Sequence, residues 1–214
     1  SKRNCRILCD PRGTLMKPVK IIEGTAVPIN RSDVDTDQII PSDWLKRVER
    51  TGFEKGLFSE WRDDKNFVLN DEVYAGARIL IAGPNFGTGS SREHAVWAIQ
   101  QAGFDAVISP RFGPIFKNNA TKNGLVPIEV ESELGKQLIS EVGQNPDLHF
   151  VIDIAQRTVE VPQLGLSVEF ELEDSVQERF LKGLDDIGIT LNNAEAITNF
   201  ETNRGEWLPS QNLI

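Results

Sequence analysis

The stretch Asn85-Phe86-Gly87-Thr88-Gly89-Ser90-Ser91-Arg92-Glu93-His94 crowds glycines, hydroxyls, a guanidinium, a carboxylate and an imidazole into one turn of chain. Gly87 and Gly89 allow a tight turn and a close backbone approach to a ligand. Arg92 adds a planar fork that matches a carboxylate or phosphate. A helix that begins directly after this turn aims unpaired N–H groups and a positive dipole end into it, which makes an anion site. A second reading uses the same letters. Ser90 and Glu93 have the S-x-x-E spacing of a capping box, in which both side chains only satisfy backbone N–H groups. On that reading Ser90 is a cap, Arg92 a solvated charge and His94 a structural residue. The turn is not a P-loop, because no Gly-Lys-Ser/Thr follows the glycines. It is not a dinucleotide fingerprint either, since Arg92 stands where the third glycine would fall.

The elements that must hold this turn are legible around it. Arg78–Ala82 is a branched apolar run and reads as a buried strand. From Ala95 the apolar spacing becomes helical through Trp97, Ala98 and Ala102, and Gly103 stops it. Ala106–Ser109 reads as another buried strand. Phe112–Asn123 reads as a helix with Ile115, Phe116 and Ala120 inward and Gly124 as its C-cap, and Leu125–Val130 as a third strand. Strand, helix, strand, helix, strand implies a parallel βαβ core. Downstream, Glu133–Val142 reads as an acidic helix. Phe150–Ile154, Thr158–Val161 and Leu166–Leu172 alternate and form an antiparallel layer. Val176–Leu184 and Asn193–Phe200 read as helices. Upstream, Val19–Ile29 gives two short strands about a turn at Glu23-Gly24-Thr25. Phe53, Leu57, Phe58 and Trp61 are core anchors, and Ser42–Gly52 is a short amphipathic helix or a mobile basic loop.

The chain has 214 residues and a net charge of −9. That charge argues against non-specific binding to nucleic acid. No apolar run approaches the roughly 20 residues of a membrane span, and no apolar segment follows the basic N-terminus as in a signal peptide. Residues 1–18 are basic and aperiodic and are expected to be a disordered N-terminal extension, with the natural start near Met16 or, alternatively, a mobile arm. Residues 19–214 form a single domain on this reading. Cys5 and Cys9 are the only cysteines, which indicates a reducing, cytoplasmic compartment. They are too few for a four-iron cluster, and two histidines make a self-contained zinc site improbable. Asp33, Asp35 and Asp37 alternate like the start of an EF-hand, but the required glycine and late glutamate are missing. Capping of turns is the reading for Asp33 and Asp35.

Two segments together resemble a known family. Phe86-Gly87-Thr88-Gly89-Ser90-Ser91-Arg92-Glu93-His94-Ala95 and Val34-Asp35-Thr36-Asp37-Gln38-Ile39-Ile40-Pro41 are similar to the small subunits of isopropylmalate dehydratase, the leucine-pathway member of the aconitase superfamily. Arg50-Thr51-Gly52-Phe53, Phe67-Val68-Leu69-Asn70 and Gly183-Leu184-Asp185-Asp186-Ile187-Gly188 agree, and the likeness runs from about Ile21 to Phe200. The resemblance implies an α/β fold: a swivelling three-layer β/β/α domain with a parallel central sheet and an antiparallel layer. It implies a hydro-lyase that isomerises 2-isopropylmalate and 3-isopropylmalate through 2-isopropylmaleate. It implies a heterodimer with a [4Fe-4S] cluster on the large subunit, no cofactor bound by this chain, and a small dicarboxylate substrate. By motif, Ser90 is the general base, with Asp37 also catalytic. Ser91 and Arg92 hold a substrate carboxylate. Arg47 or Arg50, with Thr51, contacts substrate from the Trp44–Thr51 loop. The alternatives are a small subunit for a citramalate- or homoaconitate-type acid, or a non-catalytic anion-binding domain.

Overall fold

The computed structural model describes residues 17–46, 51–184 and 194–203. The expected N-terminal extension falls almost wholly outside them. Two strands form near the start as expected, β1 (Ile21–Gly24) and β2 (Ala26–Ile29), but they enter different sheets. β2 lies in a parallel sheet of order β2-β3-β4-β5, with β3 (Ile79–Ala82), β4 (Ala106–Ser109) and β5 (Val126–Glu129). β1 pairs antiparallel with β6 (Phe150–Asp153), Ile21 opposite Asp153 and Gly24 opposite Phe150, and β7 (Thr158–Val161) and β8 (Leu166–Glu169) complete that sheet. Thr25 alone separates the two destinations, so the turn read at Glu23-Gly24-Thr25 passes the chain between sheets and makes no hairpin.

The parallel strands alternate in what they face. Ile79, Ile81, Ala106, Ile108, Val126 and Ile128 pack in one core with Phe150, Ile152 and Val159 of the antiparallel sheet. Leu80, Ala82 and Val107 pack in a second core beneath the helices. A parallel sheet covered on both faces needs such runs. Among the described residues the α-helices are α1 (Thr36–Ile39), α2 (Ser59–Arg62), α3 (Glu93–Gln101), α4 (Pro114–Asn123), α5 (Ser132–Gln144), α6 (Asp174–Lys182) and α7 (Ala194–Asn203). α3 and α4 cover one face of the parallel sheet. α5 covers part of the other, with Leu138 and Val142 in the core shared with the antiparallel sheet. The α/β layering of two sheets and helices is therefore as expected.

Local chemistry explains most boundaries. Gly124 takes φ 86° and its N–H reaches the Ala120 carbonyl, which ends α4 as predicted. One inward assignment is wrong: Ile115 is 46% exposed. Phe116 and Ala120, four residues apart, define the buried line of α4, and Ile115 sits about 100° off it. Phe53, Leu57 and Phe58 are buried as expected, and Trp61 stacks on Phe58 at 5.0 Å between ring centres. The Ser42–Gly52 segment begins as a 3-10 helix, Ser42–Lys46. Among the described residues no helix is long and apolar enough to cross a membrane.

Replacing Ile81, which is fully buried between the two sheets, by alanine should cost about 2–5 kcal/mol. Ile115→Ala on the exposed side of α4 should stay within about 0.5 kcal/mol of the parent. Urea denaturation of both variants, with unchanged m-values, checks the contrast.

Candidate active site

The site is built where two loops leave the carboxyl ends of neighbouring parallel strands, the usual place for ligands in open α/β sheets. One loop follows β2 and carries Asp33 to Asp37. The other follows β3 and carries Asn85 to Arg92. Their backbones are stitched together. Asp33 N–H donates to Pro84 O at 2.9 Å, Gly87 N–H to Val34 O at 2.7 Å, and Thr36 N–H to Thr88 O at 2.9 Å. Asn85 adopts φ 62° and donates from its side-chain amide to Asp33 Oδ1 at 2.7 Å. A third loop, after β4, supports the second: Phe86 N–H donates to Arg111 O at 3.0 Å and Gly113 N–H to Phe86 O at 2.8 Å.

Gly87 is required twice over. Its φ is 74°, and a Cβ there would lie 2.3 Å from Cγ of Phe116 in α4. Gly89, at φ 95°, is less crowded: a Cβ placed there would lie in ordinary contact, 3.5 Å from Asp35 Cβ and from Thr36 Oγ1. Its role is the turn itself, which brings Ser90 over Thr36.

The capping-box reading of Ser90 and Glu93 is overturned. α3 starts at Glu93, earlier than the Ala95 expected, and its N-cap is Arg92, which makes no side-chain capping bond. Glu93 instead accepts from Asn123 Nδ2 at 2.8 Å, and Asn123 Oδ1 accepts from Trp97 Nε1 at 2.9 Å, a clamp between α3 and α4. Ser90 Oγ lies 3.3 Å from Thr36 Oγ1, which also donates to Ser90 O at 3.1 Å. The true capping box is the other motif's. Asp35 Oδ1 accepts from Gln38 N–H at 2.8 Å, and Gln38 Oε1 accepts from Asp35 N–H at 3.0 Å. The D-x-x-Q spacing was a readable signal for it. Asp35 is thus a cap as read, while Asp33 anchors Asn85.

Arg92 and Asp37, singled out separately, meet. Arg92 Nη1 pairs with Asp37 Oδ1, with the arginine side chain 21% exposed and the aspartate 56% exposed. Ser90 and Ser91 are both exposed beside them. Thr51 is exposed at a bend, and Arg47 and Arg50 lie outside the described residues. His94 packs between Phe53 and Trp97, at ring-centre distances of 5.2 Å and 4.8 Å, as a structural residue does. Thr36, only 2% exposed, is the site residue that sequence reasoning passed over. An open groove of about 790 Å³ lies elsewhere, between α4 and α6, lined by Lys117, Arg157 and Phe170 among others.

Together the two loops present hydroxyls, a guanidinium and a carboxylate on an open surface, a set suited to holding a carboxylate and moving a proton next to it. A family model described as the aconitase C-terminal domain matches residues 16–133, which covers both loops and the parallel sheet, so the class is that of aconitase C-terminal domains. A second model, for the C-terminal domain of 3-isopropylmalate dehydratase small subunits, matches residues 186–209. The 3-isopropylmalate dehydratase small subunit of Frankia alni is 57% identical over 195 residues, covering 91% of this chain and 99% of that protein. Its counterpart from Rubrobacter xylanophilus is 53% identical, covering 91% and 98%. A crystal structure of a 3-isopropylmalate dehydratase from Methanocaldococcus jannaschii superposes with a TM-score of 0.62 at 27% identity, covering 85% of this chain and 99% of that one. The chain belongs to the family of 3-isopropylmalate dehydratase small subunits.

Gly87→Ala places a methyl against Phe116 and forces a left-handed backbone on alanine. It should cost about 1–3 kcal/mol, the usual range for overpacking, and should lower activity by displacing Ser90. Thermal unfolding and assay of the variant test both halves.

Proposed function

We propose that this chain is the half of a hydro-lyase that interconverts 2-isopropylmalate and 3-isopropylmalate through 2-isopropylmaleate in leucine biosynthesis, acting with a larger chain. The observation that carries the proposal is the convergence of Ser90, Ser91, Arg92 and Asp37 at one loop junction. In this reading Ser90 takes the proton from the carbon next to a substrate carboxylate, and Ser91 and Arg92 hold that carboxylate. Asp37 keeps the Arg92 fork aimed before substrate arrives. A serine hydroxyl ionises far above neutral pH, so its use as a base requires help. The start of α3 and the Arg92 charge both favour the ionised oxygen. Arg47 or Arg50, with Thr51, completes the pocket in this proposal and sets selectivity for the isopropyl group. A citramalate-type specificity or a purely anion-binding role is less well supported by relatives that are named dehydratase subunits at more than 50% identity.

A larger partner is part of the proposal. The Ser90 loop is open to solvent, and the described side chains of α7 are exposed, with Phe200 at 70%. Among the described residues no group of three or more His, Cys, Asp or Glu is placed to hold a metal ion. The proposal assigns the cluster to the larger chain, where it supplies Lewis-acid chemistry toward the leaving hydroxyl. A single domain over residues 19–214 and a cytoplasmic setting belong to the same reading.

Ser90→Ala in the assembled enzyme should lower turnover by about 10²–10⁴-fold, the usual worth of a general base, with partner binding intact. Near-normal turnover would overturn the role of Ser90. Arg92→Lys keeps the charge but loses the fork, so kcat/KM should fall clearly, and an unaffected variant would leave only bulk charge at that position. The chain purified alone should be colourless and inactive and should gain activity on isopropylmalate when a large, cluster-bearing partner is added. Stoichiometric iron or turnover without that partner would contradict the division of labour.

A further inference from the structure

We propose that Thr36 is a positioning residue that donates its hydroxyl proton to Ser90 Oγ whenever that oxygen is ionised, and so lowers the pH at which Ser90 can act as a base. The inference rests on the assignment of Ser90 as the base. Thr36 is buried, and its backbone is fixed by donation to Thr88 O at 2.9 Å. Its Oγ1 stands between two atoms of one residue, 3.1 Å from Ser90 O and 3.3 Å from Ser90 Oγ. A threonine hydroxyl has one proton and two lone pairs, so it can donate to only one of these at a time.

The two acceptors are unequal in need. Ser90 O already accepts from Arg92 N–H at 2.8 Å and remains satisfied if Thr36 turns away. An ionised Ser90 Oγ gains more, because a hydrogen bond to a charged acceptor is about twice as strong as one between neutral groups. Donation to the charged form favours that form. The other charged groups near this junction are engaged: Arg92 with Asp37, Asp35 with the N–H of Gln38, and Glu93 with Asn123. The step balances without a further reactant. Ser90 first releases its own hydroxyl proton to solvent; the substrate C–H proton then passes to Ser90 Oγ, the electron pair stays on carbon, and Thr36 keeps its own proton and rotates back toward Ser90 O.

The test uses the assembled two-chain enzyme and the pH profile of kcat, which reports groups in the substrate complex. Thr36→Val keeps the shape but removes the donor. It should move the rising limb of the profile upward by about one pH unit and lower kcat about tenfold at neutral pH, the equivalence of one unit with tenfold, with KM little changed. Thr36→Ser should restore the parent profile. If Thr36→Val does not fold, Thr36→Cys carries the same test, since a thiol is a weak donor, and the same upward displacement is expected. An unmoved profile, a uniform loss at every pH, or a Thr36→Ser enzyme that fails to recover would overturn the proposal. Ser90→Ala measured alongside separates the two readings. If it stays active, the base assignment fails. If it is inactive while Thr36→Val matches the parent, only the role of Thr36 fails.

Discussion

Everything at the site depends on the backbone pairing of residues 34–36 with Gly87 and Thr88. α1 is four residues long, far too short to persist alone, and it exists because Asp35 and Gln38 cap it, Ile39 is buried under it, and Thr36 is bonded to Thr88. The glycine turn is equally dependent. It can lie against α4 only because position 87 has no Cβ, and it can reach the first loop only because β2 and β3 are neighbours in register, Ala26 beside Ile79 and Ile29 beside Ala82. Two motifs 54 residues apart thus become one surface through strand order, without any element dedicated to joining them.

Much of this framework was legible. The apolar runs at 78–82, 106–109 and 125–130 read as strands, and the helices between them argued for a parallel order, as the sheet shows. What could not be read was the destination of β1 and β2. Each is only four residues long, and the choice of sheet is made by distant partners, Phe150 for one and Ile79 for the other. Ile115 was misplaced for a related reason. The apolar letters of α4 fit more than one helical phase until Phe112 is known to leave the helix and bridge to Phe86.

At the site, residue types were more legible than relations. Gly87, Ser90, Arg92 and Asp37 stand out by chemistry and by family likeness, yet nothing in the chain order says that Arg92 and Asp37 form a pair. The S-x-x-E spacing, weighed as a capping box beside the active-site reading, makes none, because a capping box needs its serine at the helix boundary and Ser90 lies two residues before the N-cap, Arg92. Thr36 escaped notice because a threonine beside an aspartate in a loop carries no signal of its own. Its importance is wholly tertiary: burial on one side and a serine on the other.

The partial exposure of the Arg92–Asp37 pair has a physical use. An ion pair left in water is worth at most about 1 kcal/mol, so Asp37 can hold the guanidinium in place and still share it at little cost. Covering the same groups changes the balance, because a lower effective dielectric strengthens every charge interaction there several-fold. A carboxylate that arrives beneath a covering chain then meets an arginine already aimed and newly strong, along with a serine whose ionised form gains from both the Arg92 charge and the Thr36 proton. The groups on this chain are weak while they face solvent and become strong only when enclosed. In the proposed assembly, proton abstraction is thereby confined to the closed complex, where water cannot compete for the reactive carbon.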